Sequence, residues 1–296
     1  MTRTGIDIGP LRVDLVPEIR YRLMPREFLF PTLQRDDVAR NADWLDPRMV
    51  HPETLAVGMA FQAYVIRVRG QNILVDSCNG NHKKRPHAPW QHDLRSHNFM
   101  TSLAALGLRP EDIHIVLCTH LHTDHVGWNT RLVDGKWVPT FPNARYVMNR
   151  AEYDHFAALI GTEGTRYAHM EDSVLPVVDA GQADFVSDTA KVVTEIGEEV
   201  FLSPSPGHSP GHVCIHARAK GAEAVICGDA IHHAIQLDMP DMVMRADNDP
   251  AMAARSRRRV MEHCAGTGAL LCAGHIPFWS IGHVSEAGDV FRLGAI

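Results

Sequence analysis

Apolar residues along the chain fall into short runs parted by turn-forming residues, and the pattern occurs in two rounds. In the first round AYVIRV (63–68) and NILVDS (72–77) are brief, β-branched and separated only by Arg69, Gly70 and Gln71, which predicts a hairpin. Residues 80–96 are polar and rich in histidine and read as a loop, and His97–Leu106 reads as a helix stopped by Gly107. IHIVLCT (113–119) is too short and too β-branched for a helix and predicts a buried strand, and Arg150–Ile160 predicts a helix closed by Gly161. The second round offers strands at 191–196, 199–204, 212–217 and 224–229. A helix from Pro250 to about Cys264 follows, with Asp249 as its N-cap, and then a strand at 268–274.

Residues 1–55 break this rhythm. Prolines at 10, 17, 25, 31, 47 and 52 predict an irregular N-terminal extension wrapped over the core of one domain that spans residues 1–296. Strands and helices alternate unevenly and no linker divides them, so the expected class is α/β with layered packing.

Composition narrows the function by exclusion. The hydrophobic share of 45% and charged share of 22% are those of an ordinary globular protein. A formal net charge of -6 argues against nucleic acid as partner, and the one basic cluster, Arg255, Arg257, Arg258 and Arg259, reads as a solvated helix face. No apolar stretch approaches the ~20 residues of a membrane span, and Met1–Arg20 lacks the apolar segment of a secretory signal, so the expected setting is cytoplasmic. The six cysteines form no Cys-x-x-Cys pair, and four of them sit in or beside apolar runs, which predicts buried reduced thiols.

Histidine changes the picture: there are 19, and the side chain is the commonest protein metal ligand. His120-Leu121-His122-Thr123-Asp124-His125 follows directly on the predicted strand 113–119. In extended geometry His120 and His122 project to one side and can share a cation, and Asp124 and His125, past the bend, can hold a second. Three more ligand types stand at predicted strand ends: His208 in SPGHSPGH, Asp229 closing AVICGD, and His275 after GALLCAG.

The run at 120–125, PGHSPGH at 206–212, CGD at 227–229 and AGH at 273–275 stand in the order in which they occur in the metallo-β-lactamase superfamily, which the sequence resembles over about residues 56 to 285. The resemblance implies a four-layer αββα sandwich. It also implies that His120, His122 and His208 bind one metal, that Asp124, His125 and His275 bind the other, and that Asp229 bridges the two. Imidazole with carboxylate ligation suits two zinc ions per chain, with manganese, iron or cobalt as alternatives. Asp76 looks like the family's carboxylate that fixes the tautomer of a ligand imidazole, and His212 is expected to support its loop. His232, His233, Phe278 and Trp279 are tentative walls of a substrate pocket, with the segment 127–142 at its edge.

The implied chemistry is hydrolysis by a hydroxide bridging two metals, with Asp124 as the group that passes a proton to the departing alkoxide. GDAIHH, the stretch from Asp247 to Pro250, and GHIPFWSIGH resemble the branch containing acyl-homoserine lactonases and methyl parathion hydrolase. A lactone or carboxylic ester is therefore the first expectation and a phosphotriester the alternative. An iron-dependent persulfide dioxygenase is less favoured because both sets of ligands are present, and Asp229, where antibiotic-degrading relatives tend to use a cysteine, disfavours a dedicated β-lactamase. The expected partner is a small-molecule substrate, with a homodimer as the assembly.

Overall fold

The computed structural model describes residues 5–186 and 200–296, and the predicted strand 191–196 lies outside them. In chain order the first half carries β1 (Gly5–Ile8), β2 (Leu11–Met24), α1 (Arg26–Leu29), α2 (Arg35–Arg40), β3 (Val57–Val68), β4 (Gln71–Val75), α3 (Asn98–Ala105) and β5 (Ile115–Leu117). It continues with β6 (Thr130–Val133), β7 (Lys136–Pro139), β8 (Arg145–Asn149), α4 (Arg150–Leu159), α5 (Leu175–Asp179) and β9 (Ala183–Val186). The second half carries β10 (Val200–Pro204), β11 (Val213–Ala219), β12 (Ala222–Ile226), α6 (Ile235–Asp238), α7 (Pro250–Thr267), β13 (Leu270–Cys272), β14 (Ile281–Ala287) and β15 (Val290–Ala295).

The strands form a seven-stranded sheet in the order β1-β2-β3-β4-β5-β8-β9 and a six-stranded sheet in the order β10-β11-β12-β13-β14-β15, with β6 and β7 as a separate hairpin. Side chains alternate across β3: Tyr64, Ile66 and Val68 face one core, while Ala63 and Val65 face another. The first of these cores lies between the sheets, where Tyr64, Ile73 and Leu117 meet Leu202, Ile215 and Ile226. Phe99 of α3 and Phe156 of α4 cover the outer face of the first sheet. Val260, Met261 and Cys264 of α7 cover the outer face of the second. The layers are thus helix, sheet, sheet, helix, the αββα sandwich.

The predicted β3–β4 hairpin turns at Arg69 and Gly70, both at positive φ (48° and 78°), with Val68 paired to Gln71. The long helix starts as expected, with the Asp249 carboxylate accepting from Met252 N at 2.9 Å, but runs on to Thr267 and stops at Gly268 at φ 73°.

Two expectations need correction. Residues 5–24 are not an irregular wrap: β2 pairs with β3 along most of its length and β1 forms the sheet edge. Pro17 hid this strand, and it sits where the register shifts, at an irregularity that tolerates a residue without an N–H. Nor is the basic cluster on α7 all solvated, since Arg257 is buried and donates to the Ala230 carbonyl at 2.9 Å.

Candidate metal centre

The chain ends each strand of the site with a bend that aims a side chain at one spot between the sheets. The run His120–His125 follows β5, His208 follows β10, Asp229 follows β12 and His275 follows β13. Their ligand atoms form two groups, His120, His122, His208 and Asp229 in one and Asp124, His125 and His275 in the other, each with its atoms within 4.8 Å of one another.

Asp229 connects the two groups. Its Oδ2 lies 3.1 Å from His208 Nε2 and 3.6 Å from His120 Nε2, and its Oδ1 lies 3.0 Å from both His125 Nε2 and His275 Nε2. Oδ1 is buried without a hydrogen-bond partner among the described residues.

The outer ring nitrogens fix what the inner ones can do. His125 Nδ1 donates to Asp76 Oδ2 at 2.8 Å, His208 Nδ1 to Asp247 Oδ1 at 2.9 Å and His275 Nδ1 to the Ala60 carbonyl at 2.8 Å. Thr119 Oγ1 donates to Asp76 at 2.8 Å, so it accepts from His120 Nδ1 at 3.1 Å. In the neutral rings each Nε2 is left as a lone pair turned inward. His120 Nε2 then faces His122 Nδ1 at 3.0 Å, His208 Nε2 faces His122 Nδ1 at 2.8 Å, and His125 Nε2 faces His275 Nε2 at 3.2 Å. Nitrogens and carboxylate oxygens that converge in this way form the donor set a divalent cation takes, and mixed imidazole and carboxylate donors suit zinc. The residues fit a divalent-metal centre.

The metal-free electrostatics are those of a site built for positive charge. Burial opposes protonation of His125, yet the Asp229 and Asp76 carboxylates outweigh it and hold this imidazole well above its ordinary range. His208 is likewise disfavoured by burial but pushed up to about 9 by Asp229 and Asp247. Burial would raise Asp229, but His125 and His275 and the neighbouring imidazoles hold it well below the usual carboxylate range.

His212 takes no place in either group. Its Nε2 accepts from Asp229 N at 2.9 Å and its Nδ1 donates to Ser205 Oγ at 2.7 Å, so it fixes the backbone that presents Asp229. Gly228 (φ 48°) makes that bend possible, since a Cβ there would meet His212 Nε2 at 2.7 Å. Asp76, itself at φ 59°, ties Thr119 N, Thr119 Oγ1 and His125 into one cluster.

A cavity of about 750 Å³ opens over the centre and reaches His122, Asp124, Asp229 and His275. Met24, Phe28, Leu29, Met59, Phe61 and Trp90 supply an apolar part of its wall. His232 also lines it, with Nε2 3.1 Å from Asp229 Oδ2 and Nδ1 without a partner among the described residues. The other expected wall residues lie elsewhere. His233 is buried in the core, bonded to Met49 O and Ile235 N, because the turn into α6 needs both contacts. Phe278 packs on Tyr21 beneath Arg48, and Trp279 lies beside Trp44, because the N-terminal segment covers them. The segment 127–142 forms the β6–β7 hairpin away from the cavity.

Sequence reasoning missed three residues. Glu152 accepts from Leu121 N at 3.1 Å and Gly211 N at 2.8 Å, and so joins the loops of His120–His125 and His208. Asp247 orients His208, and Arg257 lies 3.6 Å from Asp247 while holding the Ala230 carbonyl beside Asp229. Glu152 falls in the first turn of the predicted helix 150–160, Asp247 opens a stretch that carries the resemblance and Arg257 stands in the basic cluster, but nothing in the sequence assigns any of them a role at the centre. A third cluster, His216, Glu223 and His263, also has metal-ligand spacing. There, however, His216 bonds Glu223 and Ser203, and Glu223 also takes Arg218 and His263, which makes a closed hydrogen-bond network.

Residues 62–263 match the Metallo-beta-lactamase superfamily. An N-acyl homoserine lactonase of Bacillus thuringiensis is 27% identical over 176 residues, which cover 58% of this chain and 60% of the lactonase. A probable metallo-hydrolase of Mycobacterium tuberculosis is 30% identical over 52% of this chain and 49% of its own length. The chain thus spans about three-fifths or less of these relatives. Among solved structures, the hydrolase AbOPH of the beta lactamase superfamily aligns at a TM-score of 0.78 and 21% identity, covering 99% of this chain and 96% of its own. AidC, a dizinc quorum-quenching lactonase, aligns at 0.76 and 18% with the same coverages.

Proposed function

Because this chain belongs to the metallo-β-lactamase superfamily, we propose that it is a hydrolase that opens lactones or cleaves carboxylic esters at a centre holding two divalent cations, zinc by preference. One observation carries the reading: two ligand groups share Asp229, one carboxylate oxygen turned to each, with Oδ1 without a hydrogen-bond partner among the described residues. When bound, a pair of divalent cations supplies Lewis acidity at a carbonyl oxygen and a water acidified enough to attack as hydroxide. The names of the lactonase relatives support the substrate class.

The protein's own part is to position and to exclude water. His120, His122 and His208 would hold one cation, Asp124, His125 and His275 the other, and Asp229 both. Asp76, Asp247 and the Ala60 carbonyl lock three of these imidazoles in the lone-pair-inward tautomer, which lowers the reorganisation needed on binding. The apolar wall would receive the acyl part of the substrate. Asp124 reaches the cavity with its side chain 16% exposed, the placement needed for a carboxylate that hands a proton to the leaving alkoxide.

The test is metal analysis together with a panel of lactones, aryl esters and phosphotriesters. The wild type is expected to take up about two equivalents of zinc and to turn over lactones or esters fastest. Asp229→Ala is expected to lose metal and activity together, by at least about 100-fold in kcat/KM. A chain that takes up no divalent cation, or an Asp229→Ala variant with full turnover, overturns the reading, and fastest turnover of phosphotriesters would move the substrate class to the alternative.

A further inference from the structure

Away from the centre, the outer face of the six-stranded sheet sets a second group of metal-ligating side chains together beneath α7. β11 and β12 pair so that Arg218 stands opposite Glu223, and His216, two residues back along β11, shares that face. Cys214 and Val225 of the same face share a core with Val260, Met261 and Cys264 of α7, and the helix brings His263 to the group. Three rigid elements thus hold His216, Glu223 and His263 with their ligand atoms within 4.8 Å of one another. Phe201 stacks on the His216 ring at 4.5 Å and 9°, which fixes its plane. His216 and Glu223 are buried, and the His263 side chain, 32% exposed, leaves the group a way to solvent.

The Glu223 carboxylate can only accept, so His216 Nδ1 donates to its Oε1 at 2.6 Å and His263 Nε2 to its Oε2 at 3.1 Å. At the centre the contacts of Asp229 with His125 and His208 are 3.0 and 3.1 Å. Zinc bonds of about 2.0–2.2 Å in a tetrahedron set ligand atoms about 3.3–3.5 Å apart, so both contacts at Glu223 need open by less than about 1 Å to admit an ion. Ligation then moves the proton of each inner nitrogen to the outer nitrogen of the same ring. Ser203 Oγ, which donates to His216 Nε2 at 2.7 Å, turns to accept from it instead.

Two features make this group a weaker ligand set than the centre. Neither Glu223 oxygen lacks a partner, whereas Asp229 Oδ1 does among the described residues, so an incoming ion must displace hydrogen bonds. Arg218 also bonds both Glu223 oxygens, at 3.0 and 3.1 Å, and its positive charge competes with the ion. The Arg218 side chain is 49% exposed and can turn to solvent to release the carboxylate.

We infer that His216, Glu223 and His263 form a separate site for a divalent cation of the zinc type, filled after the centre, that fastens α7 to β11 and β12. Two imidazoles and one carboxylate favour zinc and its transition-metal neighbours over magnesium.

The experiment titrates zinc, with magnesium as control, into the zinc-loaded wild type, His263→Ala and Arg218→Ala, and reads bound metal per chain and melting temperature. The wild type is expected to take up one equivalent more than His263→Ala and no magnesium at this site. Excess zinc should raise the melting temperature of the wild type and leave that of His263→Ala unchanged. Arg218→Ala should bind the additional ion at least about 10-fold more tightly, because the competing charge is gone. That gain separates ligation from a purely structural role of the cluster, and it decides the matter alone if His263→Ala fails to fold. Equal zinc content in wild type and His263→Ala, or unchanged affinity in Arg218→Ala, overturns the assignment. The comparison counts a difference of one equivalent, so it holds whatever number of ions the centre itself takes.

Discussion

Glu152 accepts a backbone N–H from each of two ligand loops, at Leu121 and at Gly211, and is itself fully buried. Replacing it by glutamine turns one accepting oxygen into an N–H that faces another N–H. Glu152→Gln is therefore expected to weaken zinc binding about 10-fold or more, as loss of groups that orient ligands does, read by competition with a chromophoric chelator. The seven proposed ligands were legible because four stand within six residues and the rest close predicted strands. The roles of Glu152, Asp247 and Arg257 were not, because each acts on a backbone group or an imidazole far away in sequence. Phe278 and Trp279 looked like a wall because they neighbour His275, but the chain turns at Phe278 (φ 64°) and sends both rings into the packing of the N-terminal segment.

At the scale of elements, α7 sets the position of His208. Gly207 (φ 131°) lies against its first turn so closely that a Cβ would stand 2.1 Å from Ala253 N. Gly207→Ala must push His208 away from His122 and is expected to lose zinc from the first ligand group, measured as metal content per chain. Asp249→Ala removes only the cap of the same helix, and its expected cost is about 1 kcal/mol in urea unfolding, with metal content kept. Helix ends and the β3–β4 turn were legible because caps and two-residue turns have residue signatures. The β6–β7 hairpin carries such a signature too, Asp134-Gly135 at φ 48° and 78°. β2 lacked a readable signature because its irregularity at Pro17 breaks the alternation on which strand recognition depends.

At the scale of the molecule, neither sheet holds the site alone. The first sheet's loops supply His120, His122, Asp124 and His125, and the second sheet's loops supply His208, Asp229 and His275. Chelating the metal is therefore expected to lower the melting temperature by about 10 °C or more, measured by calorimetry with and without chelator. A second dependence lies away from the centre. Burial would raise the Glu223 carboxyl, but its bonds to His216 and Arg218 outweigh this and lower it from 4.5 to about 2. A carboxyl lowered in the fold adds stability that is full above about 4.5 and is lost as pH falls toward 2. Urea midpoints of the wild type should fall between pH 5 and 3, and those of Glu223→Gln should fall less.

Gln62 and Tyr64 of β3 both donate to the Ala273 carbonyl, at 2.9 Å each, just ahead of His275 on the opposite sheet. The clasp has a consequence for biogenesis. A nascent chain released before this latch closes has its histidines present but scattered, and can offer no ion a full set of donors. Cation capture should therefore come late on the folding route and act as a seal on molecules already assembled.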